Sequence, residues 1–391
     1  MKGENKMFRK IFVTLTMLMM FIGSVSAAPY ITPEQEQIAG KGQMDLSRVS
    51  YVPEVPALTQ IQNTIMAKNP SLKHYVSDSV RGIHPVHLLV TKNQQVNAHS
   101  LPGGHIFLSD ALVKAFMYKS YNPYTGKTSG VEKTLGNAYE IYGHSAIAAT
   151  MAHEFAHWER NFFQGEVDVL DKFMNEPSKK AVYGMLYRGN GAGFVGELNG
   201  LAKTSAALKS IQQYVYNEEV QADLKALEYL DRTDEYSTGS LIYLFNRLKD
   251  ETTASLTPHP TAAVRSVAVR NHIKTISNGR VTLDESGRMS LDGKLFLGTG
   301  YLPERSDVTN YDRTSYVAGQ LAKCVRYNAK AVYPLSEYAK AGNMVPFVAK
   351  GSGRSIVLDK FAITQDEAIK MEKGGSIERQ AIYEIVKFLS K

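Results

Sequence analysis

Residues 146–158, with the sequence AIAATMAHEFAHW, decide how the rest of this chain is interpreted. The stretch is almost entirely apolar, which predicts a buried helix, yet it carries His153, Glu154 and His157. Positions i and i+4 of a helix share a face, so both imidazoles can reach one metal ion, while Glu154 lies about 100° around the helix and can contact a water molecule there. This geometry suits zinc-dependent hydrolysis. The alternative is an exposed helix with two solvated histidines, and the apolar flanks argue against it.

Two histidines leave a metal site incomplete, because catalytic zinc commonly takes a third protein ligand and keeps one position open for water. The candidate segment is Asn217–Asp223, in which Glu219 and Asp223 are one helical turn apart. We expect Glu219, rather than Glu218, to be the third ligand and Asp223 to orient a ligand histidine. The alternative is that both glutamates lie on a solvated face. The single cysteine, Cys324, excludes a disulfide framework and a cysteine-rich zinc site.

Two further motifs accompany His153–His157 and Glu219-x-x-Ala222-Asp223. They are Asn97-Ala98-x-Ser100-Leu101-Pro102-Gly103-Gly104 and Thr257-Pro258-His259-Pro260. Together the four segments resemble the HtpX/BepA/CAAX-prenyl-protease family of gluzincin zinc metallopeptidases, and the exported, soluble members most of all. The resemblance covers residues 32–270. It implies an α+β fold, a mainly helical zincin domain with one zinc ion per chain and a small sheet whose edge strand borders the active-site cleft.

By this resemblance, residues 97–108 form the edge strand and turn beside the zinc, where an extended substrate peptide adds as a further strand. An edge backbone can bind extended peptide without requiring a particular side chain, which agrees with this expectation. The expected substrate-binding residues are Asn97, Leu101, Pro102, Gly103 and Gly104. An ordinary Pro-Gly-Gly turn is the alternative. We expect His99 and His105 only to line the cleft.

His259 matches the family's His-Pro position near the metal, and we expect it to act in catalysis. It would either stabilise the tetrahedral oxyanion or sit on the zinc as a reversible block, and a plain turn histidine between two prolines is the remaining alternative. We expect Arg265 to form a structural salt bridge. The hypothesis for the reaction is peptide-bond hydrolysis, in which Glu154 accepts a proton from the attacking water and passes it to the leaving amine.

The first 27 residues are typical of a cleavable secretory signal peptide. Basic residues precede an apolar run at 11–22, which is shorter than the roughly 20 residues that span a bilayer. Val25-x-Ala27 supplies the cleavage site. Removal of four basic residues and one acidic residue would lower the formal net charge from +7 to +4. We therefore expect a periplasmic or extracellular protein, and an uncleaved anchor is the alternative.

The composition also limits the partners of the chain. No run rich in Lys and Arg marks a nucleic-acid surface, so we expect no nucleic-acid partner. A net charge of +4 would still allow peripheral association with anionic lipid or polymer of the cell envelope, and an envelope-binding module is one competing hypothesis. The expected partners of a peptidase are unfolded or extended polypeptide substrates.

On its sequence patterns the chain divides into a signal peptide (1–27), a zinc metallopeptidase domain (28–277) and a C-terminal α+β module (278–391). Within the second part, we predict a loop or flap over 118–143 and irregular chain over the Gly-rich residues 187–200. The predicted function is that of a zinc-dependent endopeptidase acting on exported or envelope proteins, as in protein quality control. The main competing hypothesis is an exported chaperone-like assembly factor with a latent or structural zinc site.

Overall fold

The structure is a computed structural model, and it is mainly helical with small sheets. It describes residues 28–47, 56–72, 87–91, 97–117, 121–122, 127–128, 138–248, 260–296, 310–332, 344–362 and 377–391. The predicted signal peptide and His259 lie outside the described residues. Within these ranges, no helix is both long enough and apolar enough to cross a membrane.

The helices of the described residues dominate the fold, which confirms the expectation of a mainly helical α+β protein. In chain order they are α1 (Pro33–Ser47), α2 (Pro56–Lys68), α3 (Asp110–Met117), α4 (Ala138–Glu159), α5 (Phe162–Asp171), α6 (Glu176–Tyr187), α7 (Gly191–Ala202), α8 (Ser205–Asp231), α9 (Ser240–Leu248), α10 (Ala262–Ile276), α11 (Asn310–Arg326) and α12 (Ile377–Leu389). A short 3-10 turn at Pro70–Leu72 follows α2.

The strands of the described residues form small sheets of two or three strands. They are β1 (His87–Thr91), β2 (Ala98–Leu101), β3 (His105–Ser109), β4 (Tyr121–Asn122), β5 (Lys127–Thr128), β6 (Val281–Leu283), β7 (Met289–Leu291), β8 (Lys294–Leu295), β9 (Lys330–Val332), β10 (Met344–Gly351) and β11 (Arg354–Ala362). In the first sheet β3 lies between β1, which runs parallel to it, and β2, which runs antiparallel. β4 pairs with β5, and the remaining two sheets are antiparallel, with the orders β6-β7-β8 and β9-β10-β11.

The prediction of irregular chain over residues 187–200 is wrong, because most of this stretch belongs to α7. The Asn190 side chain accepts a hydrogen bond from the backbone N–H of Gly193 at 2.9 Å and so caps the helix. A Cβ at Gly191 would lie 1.8 Å from the carbonyl oxygen of Ile38 in α1. Close packing of α1 on α7 therefore requires glycine and outweighs the low helix propensity of this residue. The loop predicted over 118–143 also ends early, since α4 begins at Ala138.

Buried apolar side chains of the described residues form two clusters. The larger cluster includes α2, α3, α4, α9 and the C-terminal half of α8, and the smaller one includes α1, α5, α6, α7 and the N-terminal half of α8. Along α8, Ile211 and Val215 belong to the smaller cluster, whereas Ala222 and Ala226 belong to the larger. Glu219 lies between these two sets. The helix that carries the predicted third ligand therefore joins both cores.

The C-terminal elements share the larger cluster with the helices of the predicted peptidase domain. Leu321 of α11, Ile356 of β11 and Ile382 of α12 are buried in the same cluster as residues of α4 and α8. The boundary predicted between residues 277 and 278 stays a prediction. In the described residues, hydrophobic packing continues across it.

Candidate metal centre and catalytic site

Helix α4 positions three of the predicted site residues. His153, Glu154 and His157 are 7%, 4% and 5% exposed, respectively. The helix is held in place because the side chains between the two histidines, such as Phe155 and Ala156, are fully buried in the larger cluster. Burial of about four helical turns of mostly apolar chain therefore fixes the direction in which the two imidazoles point.

His153, His157 and Glu219 meet at one point in the structure. The Nε2 atoms of the two imidazoles are 3.1 Å apart. The Glu219 carboxylate lies 3.2 Å from His153 Nε2 and 3.4 Å from His157 Nε2. Tetrahedral zinc with ligand bonds of about 2.0–2.1 Å separates its ligand atoms by about 3.3 Å. The three donors are therefore spaced as a tetrahedral zinc site requires, and all three are buried.

Of the two neighbouring glutamates, Glu219 faces this centre. Glu218 instead accepts two hydrogen bonds from the Arg160 guanidinium, each 2.9 Å long. Glu219 is 5% exposed, which fits a carboxylate that has a cation to bind. The choice of Glu219 over Glu218 in the sequence analysis agrees with this arrangement.

Asp223 connects the ligand His153 to Arg265 of α10. The carboxylate accepts a hydrogen bond from His153 Nδ1 at 2.9 Å and two from Arg265, at 2.6 and 2.7 Å. Because a carboxylate can only accept, His153 carries its proton on Nδ1 and presents Nε2 to the centre. The Arg265 guanidinium in turn lies 4.2 Å from the ring centroid of Phe245. Arg265 forms the salt bridge expected of it, and its partner is Asp223.

The pKa values reflect this concentration of charge. Burial would raise the pKa of Asp223, but the charge and hydrogen bonds of Arg265 outweigh burial and lower it. Among the protein groups alone, burial lowers the pKa of His153, whereas the Glu219 and Asp223 carboxylates raise it, and the result is a pKa of about 10. A metal ion at this centre therefore has to displace a proton from His153.

The predicted substrate-binding segment lies beside α4. Trp158, at the end of α4, donates a hydrogen bond from Nε1 to the carbonyl of Leu101 at 3.2 Å. Asn97 immediately precedes β2, and its carbonyl accepts a 2.9 Å hydrogen bond from the Ser109 N–H. Pro102, Gly103 and Gly104 form the turn to β3. Gly103 has φ of +76°, and an added Cβ there would lie 2.7 Å from Gln37 Cα of α1. This turn therefore needs glycine both for its backbone conformation and for its contact with α1.

Aromatic side chains outside the four sequence motifs also shape the site. The ring of Phe162 packs on the imidazole of His157, with centroids 4.8 Å apart, and Tyr214 stacks on Phe162 at 5.5 Å. Tyr214 also donates a hydrogen bond to the Phe162 carbonyl at 2.9 Å. The position of Phe162 just after the His153–His157 motif was the available signal, but aromatic residues follow many helices, so the signal alone does not identify a function.

Comparison with known proteins agrees with this geometry. The model of peptidase family M48 matches residues 72–273, which is more than half of the chain. The chain belongs to peptidase family M48. Members of this family are zinc-dependent metalloendopeptidases of the gluzincin type, so the chain is a zinc metalloendopeptidase. A comparison with curated proteins finds no match. The matched region begins at Leu72 and ends within α10, so it contains the three donors, Asp223 and Arg265.

Proposed function

We propose that this M48 peptidase is an exported endopeptidase that cleaves unfolded or extended proteins of the cell envelope, with Glu154 as its general base. The observation that carries this proposal is the meeting of His153, His157 and Glu219 with Glu154 adjacent on the same helix. The basic and apolar pattern of residues 1–27 supports export.

The chemistry assigned to this chain's own residues begins with the donors. His153, His157 and Glu219 would hold a zinc ion, which would supply a Lewis acid for the scissile carbonyl and for a water molecule. Glu154 accepts the proton of the attacking water and donates it to the leaving amine. Asp223 and Arg265 keep the His153 ring oriented during these steps.

The binding mode proposed for the substrate uses the backbone of β2. In the described part of the chain β2 has β3 on one side and no strand on the other. An extended peptide added to this edge would run past α4, to which Trp158 holds β2. Backbone pairing binds a chain only where it is extended, which favours unfolded proteins as substrates.

Replacement of the general base tests the proposal. Glu154→Gln keeps the shape of the side chain but cannot accept the proton, so we expect casein cleavage to fall by about 100- to 10,000-fold while zinc content is unchanged. Glu197→Gln, at an exposed position of α7, is the matched control and should retain full cleavage. Unchanged cleavage by Glu154→Gln would remove Glu154 from the mechanism.

The same assay separates the peptidase from a chaperone-like factor. A peptidase cleaves casein in a reaction that a chelator stops, whereas a factor with a structural zinc site suppresses aggregation of unfolded protein without cleaving it. Export is tested by N-terminal sequencing of the protein recovered from the envelope or the medium. A mature N-terminus at Ala28 supports the proposal, and an intact Met1 contradicts it.

A further inference from the structure

The side chain of His99 forms an unusual feature of the strand proposed to bind substrate. His99 lies in the middle of β2, directly opposite Phe107 of β3. Its imidazole stacks on the Phe107 ring with centroids 5.3 Å apart and an angle of 5° between the ring planes. Phe107 is only 2% exposed, whereas His99 is exposed. The stack thus has a buried ring beneath and an accessible ring on top.

The direction of this stack is set by the sheet. Neighbouring strands are about 4.8 Å apart, so a stack of cross-strand rings continues from one strand to the next. From Phe107 to His99 the stack runs from β3 to β2, the strand that has no further neighbour among the described residues. The next position in the stack therefore falls on the strand that a bound peptide would supply.

The hydrogen-bond register of β2 places a substrate side chain close to His99. Ser109 donates to the Asn97 carbonyl, so residues 97 and 109 form a hydrogen-bonded pair. Along an antiparallel ladder, hydrogen-bonded and non-hydrogen-bonded pairs alternate, so His99 and Phe107, two positions further on, are again a hydrogen-bonded pair. The backbone N–H and carbonyl of His99 therefore point towards β3. On its outer side His99 would then form a non-hydrogen-bonded pair with an antiparallel peptide. In such pairs the side chains are closest, with Cα atoms about 4.5 Å apart.

We propose that His99 is a specificity-determining residue whose imidazole selects an aromatic side chain in the substrate peptide. This inference rests on the proposed peptidase function and on peptide addition to β2. The parallel rings of His99 and Phe107 offer a flat surface, and a third planar ring can continue the stack.

The electrostatic surroundings of His99 agree with an uncharged stacking surface close to the reaction. Part of the His99 side chain is accessible, but the packing around the rest of it lowers the pKa of His99 by desolvation, and the negative charge of Glu154 partly opposes this effect. A lowered pKa favours the uncharged imidazole, which suits stacking on Phe107. Leu101, two residues after His99, accepts the hydrogen bond of Trp158 in α4, so the selected side chain belongs to a substrate residue close to the helix that carries Glu154.

The test uses the full chain and a set of peptides in which one phenylalanine is moved through successive positions. At each position the same peptide is also made with cyclohexylalanine, which matches phenylalanine in size but is not planar. We expect one position at which phenylalanine gives a kcat/KM about two- to tenfold higher than cyclohexylalanine. His99→Ala should abolish this ratio and His99→Phe should preserve it. Tyr383→Ala, at an exposed aromatic position of α12, is the control and should keep the wild-type ratio.

A binding measurement on the Glu154→Gln variant provides a readout that does not depend on cleavage. Fluorescence anisotropy should show tighter binding of the phenylalanine peptide, and adding His99→Ala should remove that difference. The absence of any aromatic preference, a preference for an acidic side chain, or a preference that survives His99→Ala would overturn the proposal. Casein cleavage by the wild type and His99→Ala distinguishes failure of the His99 proposal from failure of the proposed peptidase function. If both proteins cleave casein but neither shows an aromatic preference, only the His99 proposal is wrong.

Discussion

Replacement of Lys323 should destabilise the protein although this residue is distant in sequence from the catalytic motifs. Lys323 lies on α11 and is fully buried. Its ammonium donates to the carbonyls of Leu230, Thr233 and Tyr236 at 3.1, 3.0 and 2.5 Å. These carbonyls surround the C-terminal end of α8, the helix that carries Glu219. The ammonium therefore caps α8 where the negative end of the helix dipole favours a cation.

The expected effect of Lys323→Met follows from the balance of two opposing contributions. Three charge-assisted hydrogen bonds contribute about 1.5–3 kcal/mol each. Burying the ammonium costs several kcal/mol, and burial lowers the pKa of Lys323 to about 8. The carbonyls of Leu230 and Thr233 also keep other donors, Thr233 Oγ1 and Arg354 respectively. We expect the free energy of unfolding to fall by about 3 kcal/mol.

Denaturant unfolding followed by tryptophan fluorescence and circular dichroism measures this change. The matched control is Lys330→Met on β9, since Lys330 is exposed and should change stability by less than about 0.5 kcal/mol. A Lys323→Met variant as stable as the Lys330→Met variant would refute the reasoning that the ammonium of α11 stabilises the end of α8.

The remaining predictions concern the metal centre and the packing of α1. Asp223→Asn should weaken zinc binding by about 10- to 100-fold in a chelator competition, and unchanged affinity would contradict the role of Asp223 in orienting His153. Since the pKa of His153 without zinc is about 10, this ring is protonated at pH 7, and its proton has to leave when zinc binds. Calorimetry in buffers of different ionisation enthalpy should therefore detect release of about one proton, and zinc affinity should rise with pH below that pKa. Gly191→Ala should lower the free energy of unfolding by about 2–4 kcal/mol, because its Cβ would lie 1.8 Å from a carbonyl oxygen. Gly200→Ala in the same helix meets nothing within 4 Å and should be neutral or stabilising.

The metal centre could be predicted from the sequence because its residues follow local rules. Helical periodicity alone places His153 and His157 on one face, and it relates Glu219 to Asp223 in the same way. The structure adds what periodicity does not contain. It brings α4 and α8 together so that the donors of both helices meet, and it pairs Asp223 with Arg265 across 42 residues of sequence.

Other features depended on tertiary contacts that no local pattern records. The glycines of α7 predicted irregular chain, yet they are in a helix because α1 packs closely against Gly191. A lysine such as Lys323 is usually on the surface, and only the position of α11 against the end of α8 explains its burial. The sequence predicts only that His99 lines the cleft. Its proposed role in selecting an aromatic side chain depends on the strand register, which sets it opposite Phe107.

The zinc content of two neighbouring variants tests the central claim most directly. Glu218 and Glu219 are adjacent in α8, but Glu218 binds Arg160 while Glu219 faces the two histidines. With elemental analysis of the purified protein, we predict one zinc ion per chain for wild type and Glu218→Ala, and loss of zinc for Glu219→Ala. A folded Glu219→Ala protein that holds zinc as tightly as Glu218→Ala would contradict the metal centre on which the peptidase mechanism depends.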